Sequence, residues 1–366
     1  MRMIRELSCA SLSPFLRGEG AVRRLFLISL GWIIGLATPA LAQPLSLADL
    51  ATYAAPDRTQ KLLEIAKAEG GLNVYSSLTS DDLAVLSAAF EKKAGIKPQF
   101  WRASNEDVLQ RGVTEEHSGR HSADLFDTGA AGLEGLRRES LLHPVASPVF
   151  AELMPQAIAP GVWTGTRLQI ISAAYNTNLI ASKDLPTSYA DFVDPRWKGK
   201  LTVETDDIDW FATLVTSMGE DKGVKLLQDI VAANGVTLRK GHSLIANLVA
   251  AGEAPLAITT YYYKVAQMKQ AGAPVDTFNL DPTVARVDGI GLSNNAPHPA
   301  SALLYMDFLL GEGQAILAGR EFFPTNVKAA KSIPDMNIVF SDAGKQIDDG
   351  VRWTRLFNET FGRRAR

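Results

Sequence analysis

The sequence predicts an α/β protein made of two α/β units, and two observations support this. Short apolar strands alternate with amphipathic helices over about 57–139, a pattern typical of a parallel sheet covered by helices on both faces. A strongly apolar strand over 168–175 is then followed by a second series of strands and helices that begins near Asp191. Since the sequence shows no low-complexity linker, we expect ordered strands to join the two units.

Turn residues and hydrophobic spacing predict the helices and strands of the first unit. Gly70-Gly71 ends the first helix, and Thr79 with Asp82 resembles a capping box for the second. Leu83, Leu86 and Phe90 recur at helical spacing and mark its buried stripe. The predicted strands are 72–75, 97–101 and 123–127, and the predicted helices are 57–69, 79–95, 104–116 and 133–139.

The second unit and the last 70 residues are read in the same way. The predicted strands are 168–175, 200–204, 256–259, 275–280 and 289–293. The predicted helices are 209–218, 220–233, 243–251, 299–310, 312–319 and 345–361. The last three make the end of the chain mainly helical.

Length and composition limit the class of protein. The chain has 366 residues, a net charge of −3, 46% hydrophobic residues and 21% charged residues. This composition excludes collagen-like and wholly disordered chains, and the length suggests about two domains. A slightly acidic balance gives no support to nucleic-acid binding.

The N-terminus predicts export. Arg23 and Arg24 precede the apolar run 25–36, and Ala40-Leu41-Ala42 forms a small-residue cleavage site, so 1–42 is predicted to be a signal peptide. The alternative is a retained N-terminal anchor. Cleavage would remove Cys9, the only cysteine, so the mature chain would have no disulfide and no thiol nucleophile. We expect a soluble periplasmic protein, exported by the Sec or the twin-arginine route.

Motifs of common enzymes are missing from the sequence. It contains no G-x-S-x-G, no phosphate-binding P-loop, no H-E-x-x-H and no G-x-G-x-x-G after a strand. Asp206, Asp207 and Asp209 precede an apolar helix, where helix capping is the expected role and calcium binding the alternative.

Three consecutive tyrosines follow a predicted strand directly. Tyr261, Tyr262 and Tyr263 cannot all enter the core, because neighbours along an extended chain point to opposite sides. They lie at the carboxyl end of a strand, where open α/β sheets bind ligands. A phenolate is a hard oxygen donor that suits Fe(III), and aromatic packing or stacking on an organic ligand is the alternative.

Hydroxyl and arginine side chains form a second group of candidate ligand contacts. Ser76, Ser77 and Thr79 join a strand to a helix N-terminus, which favours an anion, although helix capping would also explain them. Ser243 repeats this arrangement in the second unit. Arg167 and Arg286 flank the strands expected to link the units, and either can meet an anionic ligand or a surface carboxylate.

Several stretches together resemble a known family. The chain is similar to periplasmic solute-binding proteins of ABC importers with the type II fold, and most similar to their ferric-iron-binding branch. The resemblance runs over about 70–325, and the stretches that carry it are 72–77, 122–127, 175–177, 194–201, 252–256 and 308–314.

The resemblance implies two α/β lobes that close on a ligand, hinged by strand crossings near 165–172 and 280–288. It places the first lobe at 43–167 plus 285–366 and the second lobe at 168–284. It also implies that Tyr261 and Tyr262 bind Fe(III). The places of a histidine and a glutamate that this branch often adds are held here by Thr79 and Gly129.

The resemblance further implies a carrier that delivers its ligand to a membrane permease and its ATPase. The expected cargo is ferric iron or a ferric complex with a synergistic anion, with no other cofactor. The alternatives are an organic or phosphorylated anion, such as a phosphonate, or a polyamine. A sensor partner and an enzyme are further alternatives, but the sequence places no histidine beside the candidate tyrosines and serines. A monomer is expected.

Overall fold

The computed structural model describes residues 45–158, 161–329 and 336–362. The predicted signal peptide lies outside these residues. The helices are α1 (Leu47–Thr52), α2 (Arg58–Glu69), α3 (Ser80–Ala94), α4 (Asn105–His117), α5 (Ala130–Arg138), α6 (Pro155–Ile158), α7 (Ile208–Met218), α8 (Glu220–Asn234), α9 (His242–Ala251), α10 (Tyr262–Gln270), α11 (Pro299–Leu310), α12 (Gly313–Gly319), α13 (Ala343–Asp348) and α14 (Gly350–Phe361).

Short strands and one central pair of long strands make up the sheet. The strands are β1 (Asn73–Ser76), β2 (Gln99–Arg102), β3 (Leu125–Gly129), β4 (Leu142–His143), β5 (Thr164–Asn176), β6 (Leu201–Glu204), β7 (Thr237–Arg239), β8 (Leu256–Tyr261), β9 (Val275–Phe278), β10 (Thr283–Ser293), β11 (Phe323–Pro324) and β12 (Ile338–Phe340). Short 3-10 helices lie at Pro148–Glu152, Ser182–Asp184, Tyr189–Val193 and Pro195–Trp197.

The order of the sheet is β2-β1-β3-β10-β5-β8-β6-β7. Parallel pairs lie at its two ends, β2-β1-β3 and β8-β6-β7, while β5 and β10 pair antiparallel in its middle. Their register shifts between Asp288 and Gly289. The expected strand crossings therefore lie within β5 and β10, which join two α/β lobes.

Each lobe has its own apolar core. In the first lobe, α11 is buried all round, with Tyr305 and Phe308 packed against Phe90 of α3. A helix that is apolar on nearly every side belongs inside a protein rather than on its surface. In the second lobe, Trp210 and Phe211 of α7 are buried in a separate cluster.

The C-terminal helices differ from the sequence prediction in two ways. The predicted helix 345–361 is two helices, α13 and α14, because the chain turns at Asp349. Phe357 of α14 packs on Phe211 of the second lobe with ring centroids 5.6 Å apart, although 285–366 was assigned to the first lobe. The other predicted domain boundaries stay a prediction. In the described part of the chain, no helix has the length and apolar character needed to cross a membrane.

Candidate functional site

A cavity of about 260 Å³ lies between the two lobes. Both of its walls are built where strands end and helices begin. The first lobe contributes the segments after β1 and β2, and the second contributes those after β6, β7 and β8. The crossing strands β5 and β10 form the floor. The carboxyl ends of parallel strands are where open α/β sheets bind ligands.

The wall from the first lobe is polar and carries little net charge. Ser77 and Thr79 line it, but the Thr79 hydroxyl donates to Asp82 Oδ2 at 2.6 Å. Arg102 also lines this wall, with its Nε donating to the Leu78 carbonyl oxygen at 3.3 Å. This wall therefore offers hydroxyl groups and helix N-termini, which suit the oxygen atoms of a ligand.

The floor contains an arginine whose charge is balanced inside the protein. Arg167 is buried, and its guanidinium lies 2.9 Å from Asp127 Oδ1 and 3.5 Å from Asp288 Oδ2. Although burial acts to lower it, Asp127 and Asp288 hold the pKa of Arg167 above its ordinary value. Gln169 beside it has a buried Oε1 with no hydrogen-bond partner among the described residues.

A second arginine ties the floor to the wall of the second lobe. Arg286 Nη1 donates to Asp209 Oδ2 at 2.8 Å, and Nη2 donates to the phenol oxygen of Tyr261. Its Nε lies 3.4 Å from Asp288 Oδ1. Burial raises the pKa of Tyr261 well above its ordinary value, and Arg286 acts against that rise.

Three ionisable side chains meet on the wall of the second lobe. Glu204 ends β6, Asp207 precedes α7 and His242 begins α9, and one potential ligand atom from each lies within 4.8 Å of the others. His242 Nε2 is 3.0 Å from Asp207 Oδ1. Burial, and then the charge of Asp207, raise the pKa of Glu204. We call these three residues the acidic triad.

The three tyrosines separate at the end of β8. Tyr261 and Tyr263 both line the cavity, where Tyr261 stacks on His242 with centroids 3.7 Å apart and Tyr263 stacks on Phe322 at 4.0 Å. Tyr262 packs instead on Phe323, at 5.2 Å, against the apolar cluster formed by β5 and β10. The two residues of the predicted metal pair, Tyr261 and Tyr262, thus do not line the same cavity. Their side chains point to opposite sides of the chain, as is usual for consecutive residues at the end of a strand.

Six of the nine predicted site residues line the cavity: Ser77, Thr79, Arg167, Ser243, Tyr261 and Arg286. Tyr262, Ser76 and Gly129 do not. The Ser76 hydroxyl is buried and donates to Asp127 Oδ2 at 2.8 Å, so it supports the floor. Gly129 donates its N–H to Asn105 Oδ1 at 3.0 Å and lines a neighbouring cavity of about 380 Å³.

Asp207, the residue before α7, makes no side-chain capping hydrogen bond, whereas Asp209 in the first turn accepts the Trp210 N–H at 2.9 Å. Asp206 pairs with Lys240 at 3.1 Å, Asp207 with His242 and Asp209 with Arg286. The helix-terminus role expected from the sequence thus holds for Asp209, and each of the three carboxylates also meets a cationic or imidazole group from another element.

Sequence analysis missed Glu204, His242 and Tyr263 as residues of the cavity. Glu204 carries the one available signal, a charged residue that closes an otherwise uncharged strand. The expectation that no histidine lies beside the candidate tyrosines is wrong, since His242 stacks on Tyr261.

Comparison with known proteins gives relatives over most of the chain. An iron uptake protein A1 from Synechocystis is 23% identical over 269 residues, which are 69% of this chain and 74% of that protein. A Fe(3+)-binding periplasmic protein from Serratia marcescens is 24% identical over 272 residues, or 71% of this chain and 80% of that protein.

Solved structures share the fold. Iron-bound HitA from Pseudomonas aeruginosa matches with a TM-score of 0.67 and 20% identity, covering 78% of this chain and 99% of that one. AfuA from Actinobacillus pleuropneumoniae, with fructose-6-phosphate bound, matches with a TM-score of 0.70 and 20% identity over 81% and 99%. The fold is thus the type II periplasmic-binding-protein fold expected from the sequence. Residues 132–338, more than half of the chain, match the family of bacterial extracellular solute-binding proteins, and the chain belongs to that family.

Proposed function

We propose that this protein is the periplasmic receptor of an ABC importer, and that its cargo is ferric iron or a ferric complex. The family binds solutes and is not a family of enzymes, which confirms the prediction that the chain is not an enzyme. Several relatives carry iron-uptake or Fe(3+)-binding names, which supports iron as the cargo. Delivery to a permease and ATPase, and the periplasmic location, follow from this proposal.

The observation that carries the iron proposal is the set of hard oxygen donors on the second-lobe wall. The phenol of Tyr261 lines the same cavity as the carboxylates of Glu204 and Asp207. Phenolate and carboxylate oxygens suit a hard cation such as Fe(III). Arg286, which contacts the Tyr261 oxygen, favours the phenolate form that a ferric ion needs.

The structure also suggests how the carrier closes. Donors on the first-lobe wall, such as Ser77 and the N-terminus of α4, face the cavity from across the hinge strands. A ligand held by the second lobe that also contacts these groups stabilises the closed arrangement, because only that arrangement gives it both sets of contacts. A synergistic anion such as citrate can supply oxygens that the protein lacks.

The test is a visible absorption titration with ferric citrate, on protein purified from the periplasm without chelators. Tyrosinate bound to Fe(III) gives a charge-transfer colour. We expect a band that saturates at one equivalent, is lost in Tyr261→Phe and is retained in the matched control Tyr262→Phe. Loss of the band in Tyr262→Phe with retention in Tyr261→Phe would contradict the assignment of Tyr261.

A second cargo class has one observation in its favour. The N-termini of α4 and α9 open onto the cavity beside Lys240, which is an arrangement that suits phosphate or carboxylate groups. Arg167 and Arg286 add less to this than sequence suggested, because internal carboxylates already pair with both. A colourless protein whose unfolding temperature rises with a phosphorylated sugar or an organic acid would favour this class over iron.

A further inference from the structure

Two side chains of the acidic triad each have a polar atom that no described residue contacts by a hydrogen bond. Asp207 Oδ2 and His242 Nδ1 are buried and have no hydrogen-bond partner among the described residues. Asp207 is 2% exposed and His242 is 9% exposed. Buried polar atoms are usually paired, since leaving one unpaired destabilises the folded protein. Two such atoms on adjacent side chains indicate that a group other than the described residues completes them.

The third member of the triad is held in a fixed orientation. Glu204 Oε1 accepts the Gly241 N–H at 2.7 Å, and Oε2 accepts the Asp206 N–H at 2.5 Å. Each oxygen keeps a second lone pair, so these bonds orient the carboxylate without saturating it. Backbone donors of this kind are the supports that hold metal-binding carboxylates in place.

The charges around the triad favour a cation. Two carboxylates lie beside one imidazole, and within the described ranges the only ion pair of either carboxylate is that of Asp207 with His242. Two cations that line the cavity are paired with other carboxylates: Arg286 with Asp209 and Asp288, and Lys240 with Asp206, while Arg102 belongs to the first-lobe wall. A buried group of this sign is stabilised by a bound positive ion.

We propose that Glu204, Asp207 and His242 are three protein ligands of a metal ion held on the second-lobe wall. The assignment of ferric iron to this site rests on the proposed function. All three ligands come from 204–242, so the ion site is complete within one lobe and is occupied before the lobes close. Tyr261, stacked on His242, lies next to this set, while Tyr262 takes no part in it.

The experiment measures Fe(III) affinity by competition with citrate in three single variants: Glu204→Gln, Asp207→Asn and His242→Gln. The protein is expressed as the full chain and purified from the periplasm. The matched control is His298→Gln, because His298 also pairs with a buried aspartate, Asp124, but in the first lobe. We expect each triad variant to bind Fe(III) more than about 100-fold more weakly and the control to bind it like the original protein. Far-ultraviolet circular dichroism of the metal-free variants establishes that they are folded.

The outcomes separate this inference from the proposed function. If the original protein binds Fe(III) and folded triad variants bind it equally well, the triad assignment is overturned while the iron carrier stands. If the protein binds no Fe(III) but binds Zn²⁺ or Mn²⁺ in a triad-dependent way, the triad is a metal site and the iron cargo is wrong. If no metal ion binds, both fail.

Discussion

Two histidine–aspartate pairs with a buried aspartate, one in each lobe, differ in how completely the aspartate is hydrogen-bonded. In the first lobe, His298 Nδ1 lies 2.9 Å from Asp124 Oδ2, and that carboxylate also accepts the N–H groups of Asn73 and His298. In the second lobe, His242 Nε2 lies 3.0 Å from Asp207 Oδ1, but Asp207 Oδ2 and His242 Nδ1 are unpartnered. The same two residue types thus form a saturated structural pair and an unsaturated pair on a cavity wall.

Between these two pairs, the number of hydrogen-bond partners, rather than burial or charge, distinguishes Asp124 from Asp207. Asp124 is fully buried and ties the start of β1 to the start of α11. Asp207 is almost as buried and lines the cavity, yet its Oδ2 has no donor among the described residues. An unsatisfied buried group costs stability, and binding sites retain such groups because a ligand satisfies them.

The largest expected effect comes from breaking the saturated pair. Asp124→Asn removes a fully buried carboxylate that accepts three contacts, so we expect the free energy of unfolding to fall by about 3 kcal/mol. Urea unfolding of the metal-free protein measures this. The control is Asp348→Asn, which breaks an exposed ion pair with Arg138 and should lower the free energy of unfolding far less, because solvent screens that pair. If both variants lose the same free energy of unfolding, burial of the first pair contributes nothing to stability.

A smaller effect should follow from disturbing the same pair through its neighbour. A Cβ at Gly71 would lie 2.7 Å from His298 Nε2, so Gly71→Ala must push the imidazole away from Asp124. We expect a loss of about 1–2 kcal/mol in urea unfolding. Gly319→Ala is the matched control, since a Cβ there meets nothing within 4 Å. A Gly71→Ala protein as stable as the control would mean that the imidazole relaxes freely and does not hold the pair together.

Most of the fold could be predicted from the sequence, because its signals are local. Helix α11 is found at its predicted bounds, 299–310, and the strand ending in the tyrosines lies where its apolar run predicts. The exceptions are also local. Asp349 divides the last helix, and the strand predicted at 289–293 continues back to Thr283, because β10 has to cross both lobes.

The site could be predicted only in part, because its contacts are distant in sequence. The alternation of side chains argued that three consecutive tyrosines could not share one side, and the structure agrees by placing Tyr261 and Tyr263 together. The family resemblance instead paired Tyr261 with Tyr262, which local geometry separates. Nothing in the sequence near Asp207 or Asp124 reveals which histidine each carboxylate contacts. Nor does it reveal whether a second hydrogen-bond donor contacts that carboxylate in the folded protein.

The smallest expected change in the free energy of unfolding is at the unsaturated pair. This measurement is the most direct test of the difference between the two pairs. Asp207→Asn keeps an acceptor opposite His242 Nε2 and removes the negative charge that raises the pKa of Glu204. We therefore expect the metal-free protein to be unchanged, or more stable by up to about 1 kcal/mol. The same urea measurement used for Asp124→Asn provides the direct comparison.

The two substitutions are chemically identical, so their opposite effects would come from the surroundings alone. A loss of 2 kcal/mol or more in Asp207→Asn would contradict this view, because the second pair would then be as structural as the first. If Asp207→Asn keeps its stability but loses metal affinity, the second pair serves binding and not stability. Asp207 would then be a residue that the empty protein does not need, kept where only a bound ion completes its contacts.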